Sequence, residues 1–266
     1  MGQVVLIKGG GDIGTAVAVR LHRAGRRVVV AEAPGYLVLR RGVSFGAAID
    51  QGEMVVQDAR SRPAATATDA TALLEEKIVP LWTAGWAAAL DALCPRVLVD
   101  ARMVKREKNA ETKIDHAPLV IGLGPGFTAG EDVHLVIETN HGPNLGRIIQ
   151  KGAAEPYTGT AKQILGYGKE RYLYARTDGT FLTTKEIGTR VEADELLGQV
   201  GTGELRARIA GIIRGILKSG TRVRKGQKLV DVDPRGEEIV TRIFTDRAGK
   251  IAEAVLAAID EWEQDR

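Results

Sequence analysis

Cysteine is almost missing: the 266-residue chain has one, Cys94. A lone thiol excludes an intrachain disulfide framework and a cysteine-built metal site. Its place before Pro95, at the expected end of a helix, reads as a buried structural thiol. Aromatic residues make up 5% of the chain, and they do not coincide with basic clusters, which excludes a stacking platform for nucleic acid. Lys and Arg exceed Asp and Glu by 37 to 34, a net charge of +3, with no block long enough for a nucleic-acid arm. Such a mild basic excess suits a small anionic ligand. No apolar run approaches membrane-spanning length. The one nearest the N-terminus is short and breaks into glycines, unlike a signal peptide. A cytoplasmic protein without a membrane partner is expected.

What the chain has in quantity is glycine, 32 residues, and the most telling cluster comes first. Val4-Val5-Leu6-Ile7 runs into Lys8-Gly9-Gly10-Gly11-Asp12-Ile13-Gly14. A continuous apolar run suits a strand covered on both faces of a parallel sheet. Gly9, Gly11 and Gly14 fit G-x-G-x-x-G, in which glycines permit the tight turn, the approach of a pyrophosphate and close helix–strand packing. Ile13, Val17 and Leu21 then repeat at helical spacing, and Gly25 is placed as the stop. Free amides at such a helix start form an anion site, although Asp12 would repel a phosphate lying close by. Arg27–Ala31 reads as the second strand, and Glu32 follows at the distance expected of a ribose ligand. A structural turn without a ligand is the alternative.

Further on, Arg40 and Arg41 read as phosphate contacts or as solvated surface charge. Ser44–Gln51 suits a short helix, Met54–Val56 a strand and Arg60–Thr68 a loop. Ile78–Trp82 reads as a short strand in which Pro80 marks an edge or a strand start, and Ala84–Leu93 as a helix with Trp86 in the core. Val97–Val99 forms a strand ending in Asp100-Ala101-Arg102, at the sheet end where ligands bind in open α/β folds. The charged stretch Met103–His116 reads as a surface loop, or more sharply as a ligand-ordered lid. A second glycine passage, Gly122-Leu123-Gly124-Pro125-Gly126-Phe127-Thr128-Ala129-Gly130, follows another apolar strand. Its successive amides can form an anion-binding nest, with the Thr128 hydroxyl as a further donor. Val133–Glu138 alternates as a strand. His134 with Glu138, and His141 nearby, suit a metal pair, an acid–base pair, or a hydrogen-bonded histidine beside a solvated acid.

The second half has a different pattern. Residues 158–178 suit a connection. Gly188-Thr189-Arg190-Val191 then returns as Gly220-Thr221-Arg222-Val223, and the two copies resemble the hairpins of a biotinyl or lipoyl barrel-sandwich hybrid. The intervening turn, Gly201-Thr202-Gly203-Glu204, has no lysine to carry a prosthetic arm. Asp246 can cap a final helix through Trp262 that packs back on the body. The expected architecture is α/β: a Rossmann-like cofactor-binding domain over 1–157, a linker over 158–178, a barrel-sandwich-hybrid-like β domain over 179–238, and a C-terminal helix over 239–266.

Lys8-Gly9-Gly10-Gly11-Asp12-Ile13, Leu39-Arg40-Arg41, Val99-Asp100-Ala101-Arg102-Met103, Ile121–Gly130, Asp132–His134, Val136–Asn140 and Asp231–Arg235 together resemble the YqeB-type accessory proteins of selenium-dependent molybdenum hydroxylase systems, whose nucleotide-binding half is related to XdhC. The resemblance runs nearly the length of the chain. It implies a maturation role, in which molybdenum cofactor is held or modified before insertion into an apo-hydroxylase partner. On that model Gly9, Gly10, Gly11, Asp12 and Gly14, with Gly124, Gly126, Thr128 and Gly130, cradle the phosphates of a molybdopterin dinucleotide. Glu32 takes a ribose, and Asp100, Arg102, His134 and Glu138 line the reactive end. No metal ligand set and no nucleic-acid partner are expected, and a homo-oligomer is left open. Two rivals stand beside it: an NAD-dependent oxidoreductase, for which Glu32 favours NAD over NADP, and a non-catalytic scaffold that docks a partner enzyme.

Overall fold

The computed structural model describes residues 3–33, 35, 37–103 and 111–265, and the chain divides into two compact units. The first takes in Met1–Tyr36, Ser44–Thr158 and Phe244–Arg266; the second takes in Leu37–Val43 and Gly159–Ile243. The chain thus enters the second unit twice. The stretch 158–178, expected as a linker, supplies a strand of that unit, and the final helix belongs to the first.

In the first unit the elements run β1 (Val4–Lys8), α1 (Asp12–Arg23), β2 (Arg27–Ala31), α2 (Ala48–Gln51), β3 (Met54–Val56), β4 (Ala59–Ala64), α3 (Ala67–Glu75), β5 (Val79–Trp82), α4 (Trp86–Leu93) and β6 (Val97–Asp100). They continue with β7 (Leu119–Leu123), β8 (Thr128–Ala129), β9 (Leu135–Ile137), β10 (Ile148–Ile149) and β11 (Gly152–Ala153), and close with α5 (Asp246–Gln264). One sheet of nine strands organises them, in the order β10-β9-β7-β6-β1-β2-β5-β4-β3. All pairings from β4 across to β9 are parallel. The outermost strand at each end, β3 and β10, is antiparallel. β1 sits at the centre with every residue buried, as its unbroken apolar run requires. The apolar face of α5 is buried, and the helix packs along α1, where Arg20 pairs with Glu253 and Arg26 with Asp260 and Glu263.

The second unit holds β12 (Tyr172–Tyr174), β13 (Gly179–Leu182), β14 (Arg190–Val191), β15 (Leu196–Val200), β16 (Gly203–Arg206), β17 (Gly211–Ile216), β18 (Thr221–Val223) and β19 (Lys228–Asp233). They form two four-stranded antiparallel sheets, β12-β19-β17-β14 and β16-β15-β13-β18. Arg40 donates to the carbonyls of Val240 and Ile243, and Arg41 to the Ile216 carbonyl and the Glu186 carboxylate. Both arginines are therefore engaged within this unit. A chain of charges crosses it, buried except at its Arg235 end: Arg171 and Arg214 donate to Asp231, while Arg214 and Arg235 donate to Asp233.

These sheets correct the expected architecture of a Rossmann-like domain followed by a biotinyl/lipoyl-like barrel-sandwich hybrid. The observed fold is a nine-stranded mixed sheet plus two antiparallel sheets. Apolar runs report that strands are buried; they do not report how the edges are finished, and the antiparallel β3 and β10 carry no long apolar run. The repeat at Gly188 and Gly220 marks two glycine turns, each leading into a short edge strand, β14 and β18, in different sheets. A repeated turn fixes local geometry and leaves sheet pairing open.

Three local expectations are corrected as well. Arg60–Thr68 is not a loop: it contains β4, and Thr66 caps α3 with a capping box to Asp69. Of the two readings of Pro80, the strand start holds and the edge does not, since Pro80 is the second residue of β5, which lies between β2 and β4. Cys94 is exposed rather than buried, because it ends α4 in the left-handed conformation, with φ of 43°, and that turns it away from the core. Of Met103–His116, expected as a surface loop or a ligand-ordered lid, residues 104–110 lie outside the described residues.

Candidate functional site

The carboxyl ends of β1 and β6 lie side by side, with Lys8 opposite Asp100 in register. From β1 the chain turns through Gly9–Gly11 into α1, whose N-cap is Gly11 with no side-chain cap. Glycine at position 14 is obligatory, because a Cβ there would fall on the carbonyl oxygen of Gly9. The turn is held from three sides. Gly9 N donates to the Ala31 carbonyl at 2.9 Å, Gly46 N to the Gly10 carbonyl at 2.9 Å, and the Thr15 hydroxyl to the same carbonyl at 3.2 Å.

Glu32 is the fourth tether. Its carboxylate accepts from Gly10 N at 2.7 Å and from Ala33 N at 2.9 Å. The oxygens expected to take a ribose are thus engaged with the turn itself. Burial raises the Glu32 pKa above the ordinary value, opposed by those two amides and by the Arg102 charge. Asp12 does not cap; it occupies the first turn of α1 and accepts from Ile13 N at 3.0 Å, where a carboxylate favours the helix dipole.

Beside the turn lies a compact ionic group. Asp100 is fully buried and accepts from Arg102 N at 3.2 Å, Arg102 Nε at 3.1 Å, Arg102 Nη2 at 2.8 Å and the Thr112 hydroxyl at 2.6 Å. This carboxylate fixes the guanidinium plane, the bidentate geometry for which arginine is suited. Lys8 is 2% exposed. Its Nζ donates to Glu111 Oε2 at 3.1 Å and to the Thr112 hydroxyl at 3.2 Å, and stands 3.3 Å from the Trp86 ring centroid. A desolvated cation over an indole gains about 2 kcal/mol, which offsets part of the burial cost. Burial is the largest influence on the Lys8 pKa and lowers it, against the raising effect of Asp100 and Glu111. Arg102 Nη1 reaches the same Glu111 Oε2 at 2.5 Å.

The remaining predicted residues serve elsewhere in the unit. His134 Nδ1 accepts from Val120 N at 3.0 Å and its own amide donates to the Val120 carbonyl, so the ring stitches β7 to the segment before β9. Glu138, 1% exposed, accepts from Thr139 N, Asn140 N and Glu155 N, each at 2.7 Å. One carboxylate thereby joins the end of β9 to the strand exit near Glu155. The second glycine passage is also satisfied from within. Gly124 N donates to the Ile137 carbonyl, Thr128 N to Asp132, and Gly130 N to the Val133 carbonyl. Gly124, with φ of +79°, leaves no room for a Cβ beside the Thr139 hydroxyl, and Gly126 also has positive φ. Among the described residues no group of three or more His, Cys, Asp or Glu side chains is placed to hold a metal ion.

The structure therefore brings Gly9–Gly14, Glu32, Asp100 and Arg102 to one sheet end. His134 and Glu138 are bound into backbone bonds of the β7–β9 region. The sequence reading missed Lys8, Glu111 and Thr112, and took Trp86 as core alone. The signal for Lys8 was a single charge between a buried apolar run and a glycine turn. Glu111 and Thr112 gave none, being ordinary polar residues in a charged stretch.

No family model matches the chain. It is 38% identical over 257 residues to the uncharacterized protein YqeB of Escherichia coli K12, covering 97% of this chain and 47% of YqeB. The chain thus spans about half the length of that relative. Among solved structures it is similar to the product-bound ectoine utilization protein EutE (DoeB) from Ruegeria pomeroyi, at 17% identity, with 87% of this chain and 85% of that one covered and a TM-score of 0.26. A succinylglutamate desuccinylase from Silicibacter sp. TM1040 gives 14% identity, coverage of 87% and 84%, and a TM-score of 0.25. At these TM-scores neither fold nor chemistry passes from those proteins to this chain. These descriptions are of desuccinylase, ectoine-utilization and uncharacterized proteins. None names a maturation factor for molybdenum enzymes, an NAD-dependent oxidoreductase or a docking scaffold, so the functions expected from the sequence find no support in them. The resemblance read from the sequence holds as far as this: the chain is a relative of YqeB.

Proposed function

We propose that the first unit is a binding domain for a small anionic ligand, held through a phosphate group at the glycine turn before α1. One observation carries the reading. A glycine-capped helix start, packed so closely that position 14 tolerates no side chain, opens at the carboxyl end of the central strand of a largely parallel sheet. The start of a helix presents amides and the positive end of its dipole to an anion. Carboxyl ends of parallel strands are where such sheets bind ligands. Lys8 and Arg102 at the same end add positive charge.

Calorimetric titration of the purified protein with inorganic pyrophosphate, ADP and NAD tests it. Molybdopterin dinucleotide, which with NAD is a cofactor expected from the sequence, extends the series as a further probe of the phosphate-bearing class. Saturable binding of at least one phosphate compound, weakened by added salt as charge pairing requires, is the expected result. Absence of binding across the series at millimolar concentration overturns the proposal.

A further inference from the structure

We propose that Lys8 and Arg102 form a second anion seat beside the glycine turn, and that the Glu111 carboxylate occupies it until a ligand anion takes its place. This rests on the ligand reading above and narrows it to a ligand with two anionic groups: a phosphate plus a carboxylate or a second phosphate. The two cations are fixed by other partners. Arg102 is clamped by Asp100, and Lys8 is held by Thr112 and the Trp86 ring. Glu111 differs from both, since its side chain is 60% exposed while Lys8 and Asp100 are buried. A single oxygen, Oε2, receives Lys8 Nζ at 3.1 Å and Arg102 Nη1 at 2.5 Å. A buried ammonium and a half-buried, clamped guanidinium converging on one oxygen of an exposed carboxylate form a carboxylate-binding geometry whose occupant is the chain's own surface side chain.

The position of the seat gives the ligand its second charge. A Cβ on Gly9 would lie 3.2 Å from Arg102 N, so the glycine turn and the start of the Arg102 segment are in van der Waals reach. A phosphate on the turn and a second anionic group on Lys8 and Arg102 would belong to one small molecule. Displacing Glu111 costs only a partly solvated ion pair, which is weak. Displacing Asp100 would strand a buried carboxylate, which is expensive. Glu111 is accordingly the group that exchanges.

The test compares pyrophosphate affinity of the wild type, Glu111→Gln and Asp115→Asn by calorimetry at one ionic strength. Glu111→Gln keeps the shape and removes the competing charge, so pyrophosphate binds about two- to fivefold tighter, the range of a solvent-facing ion pair. Asp115→Asn removes the same charge four residues along and leaves affinity unchanged, which separates competition at the seat from a general change in charge. Equal tightening by both variants, or unchanged or weaker binding in Glu111→Gln, overturns the seat while the turn stands. No pyrophosphate binding to any of the three overturns both.

Discussion

Replacing Glu138 by alanine should unfold the first unit far more readily, and the size of the effect follows from the bonds its carboxylate accepts. Three backbone amides, of Thr139, Asn140 and Glu155, each sit 2.7 Å from an oxygen of this buried side chain. A hydrogen bond to a charged partner contributes about 1.5–3 kcal/mol. The three share one carboxylate and are not independent, so we expect a loss of about 3–5 kcal/mol, out of the ~5–15 kcal/mol that holds an ordinary domain together. Glu138→Gln keeps an oxygen for Thr139 and Asn140 but turns an NH2 toward the Glu155 amide, and should fall between. The three tryptophans, Trp82, Trp86 and Trp262, all lie in the first unit. Urea unfolding followed by tryptophan fluorescence therefore reports on it, and the midpoint should fall with the slope unchanged. A Glu138→Ala protein that unfolds like the wild type would refute the reasoning, and would return this carboxylate to the list of groups available for chemistry.

Further outcomes follow from the same structure. Gly14→Ala sets a methyl group against the Gly9 carbonyl, and should cost about 1–3 kcal/mol of stability as an overpacked contact does, measured by the same urea series. In the second unit Arg214→Leu removes the guanidinium shared by Asp231 and Asp233. Hydrogen exchange of the β17 and β19 amides should quicken in line with a loss of about 3 kcal/mol. Burial raises the Glu32 pKa above its ordinary 4.5. A carboxyl whose folded pKa is raised contributes stability that is present below pH 4.5 and lost as the pH climbs through the folded value. The stability of wild type relative to Glu32→Gln should therefore fall as the pH rises above 4.5, and a rise would contradict the assigned direction.

How much of this was legible in the residues depends on the range of the interaction. The run Val4–Ile7 with its glycine turn, the second strand ending before Glu32, and the strand ending in Asp100 all appear where local pattern placed them. Burial and turn geometry are written into neighbouring residues. The roles of the polar side chains were much less legible, because they depend on partners far along the chain. Glu32 reads from local spacing as a ribose ligand, and its bond from Gly10, 22 residues away, has no local signal. The bond that Glu138 accepts from Glu155, 17 residues on, was equally out of local reach. Lys8 finds its partners Glu111 and Thr112 more than a hundred residues on, and no spacing rule connects them. The sheets of the second unit were misread for the same reason, since the paired glycine turns at Gly188 and Gly220 repeat a local shape while the pairing of β14 and β18 is set by distant strands.

The central claim is that a phosphate rests on the glycine turn before α1, and amide NMR tests it most directly. With 15N-labelled protein titrated with pyrophosphate, the amides of Gly10, Gly11, Asp12 and Ile13 should shift together and saturate, followed by those around Arg102. Saturating shifts confined to another surface, or no shift in those four amides while calorimetry registers binding, would contradict the account.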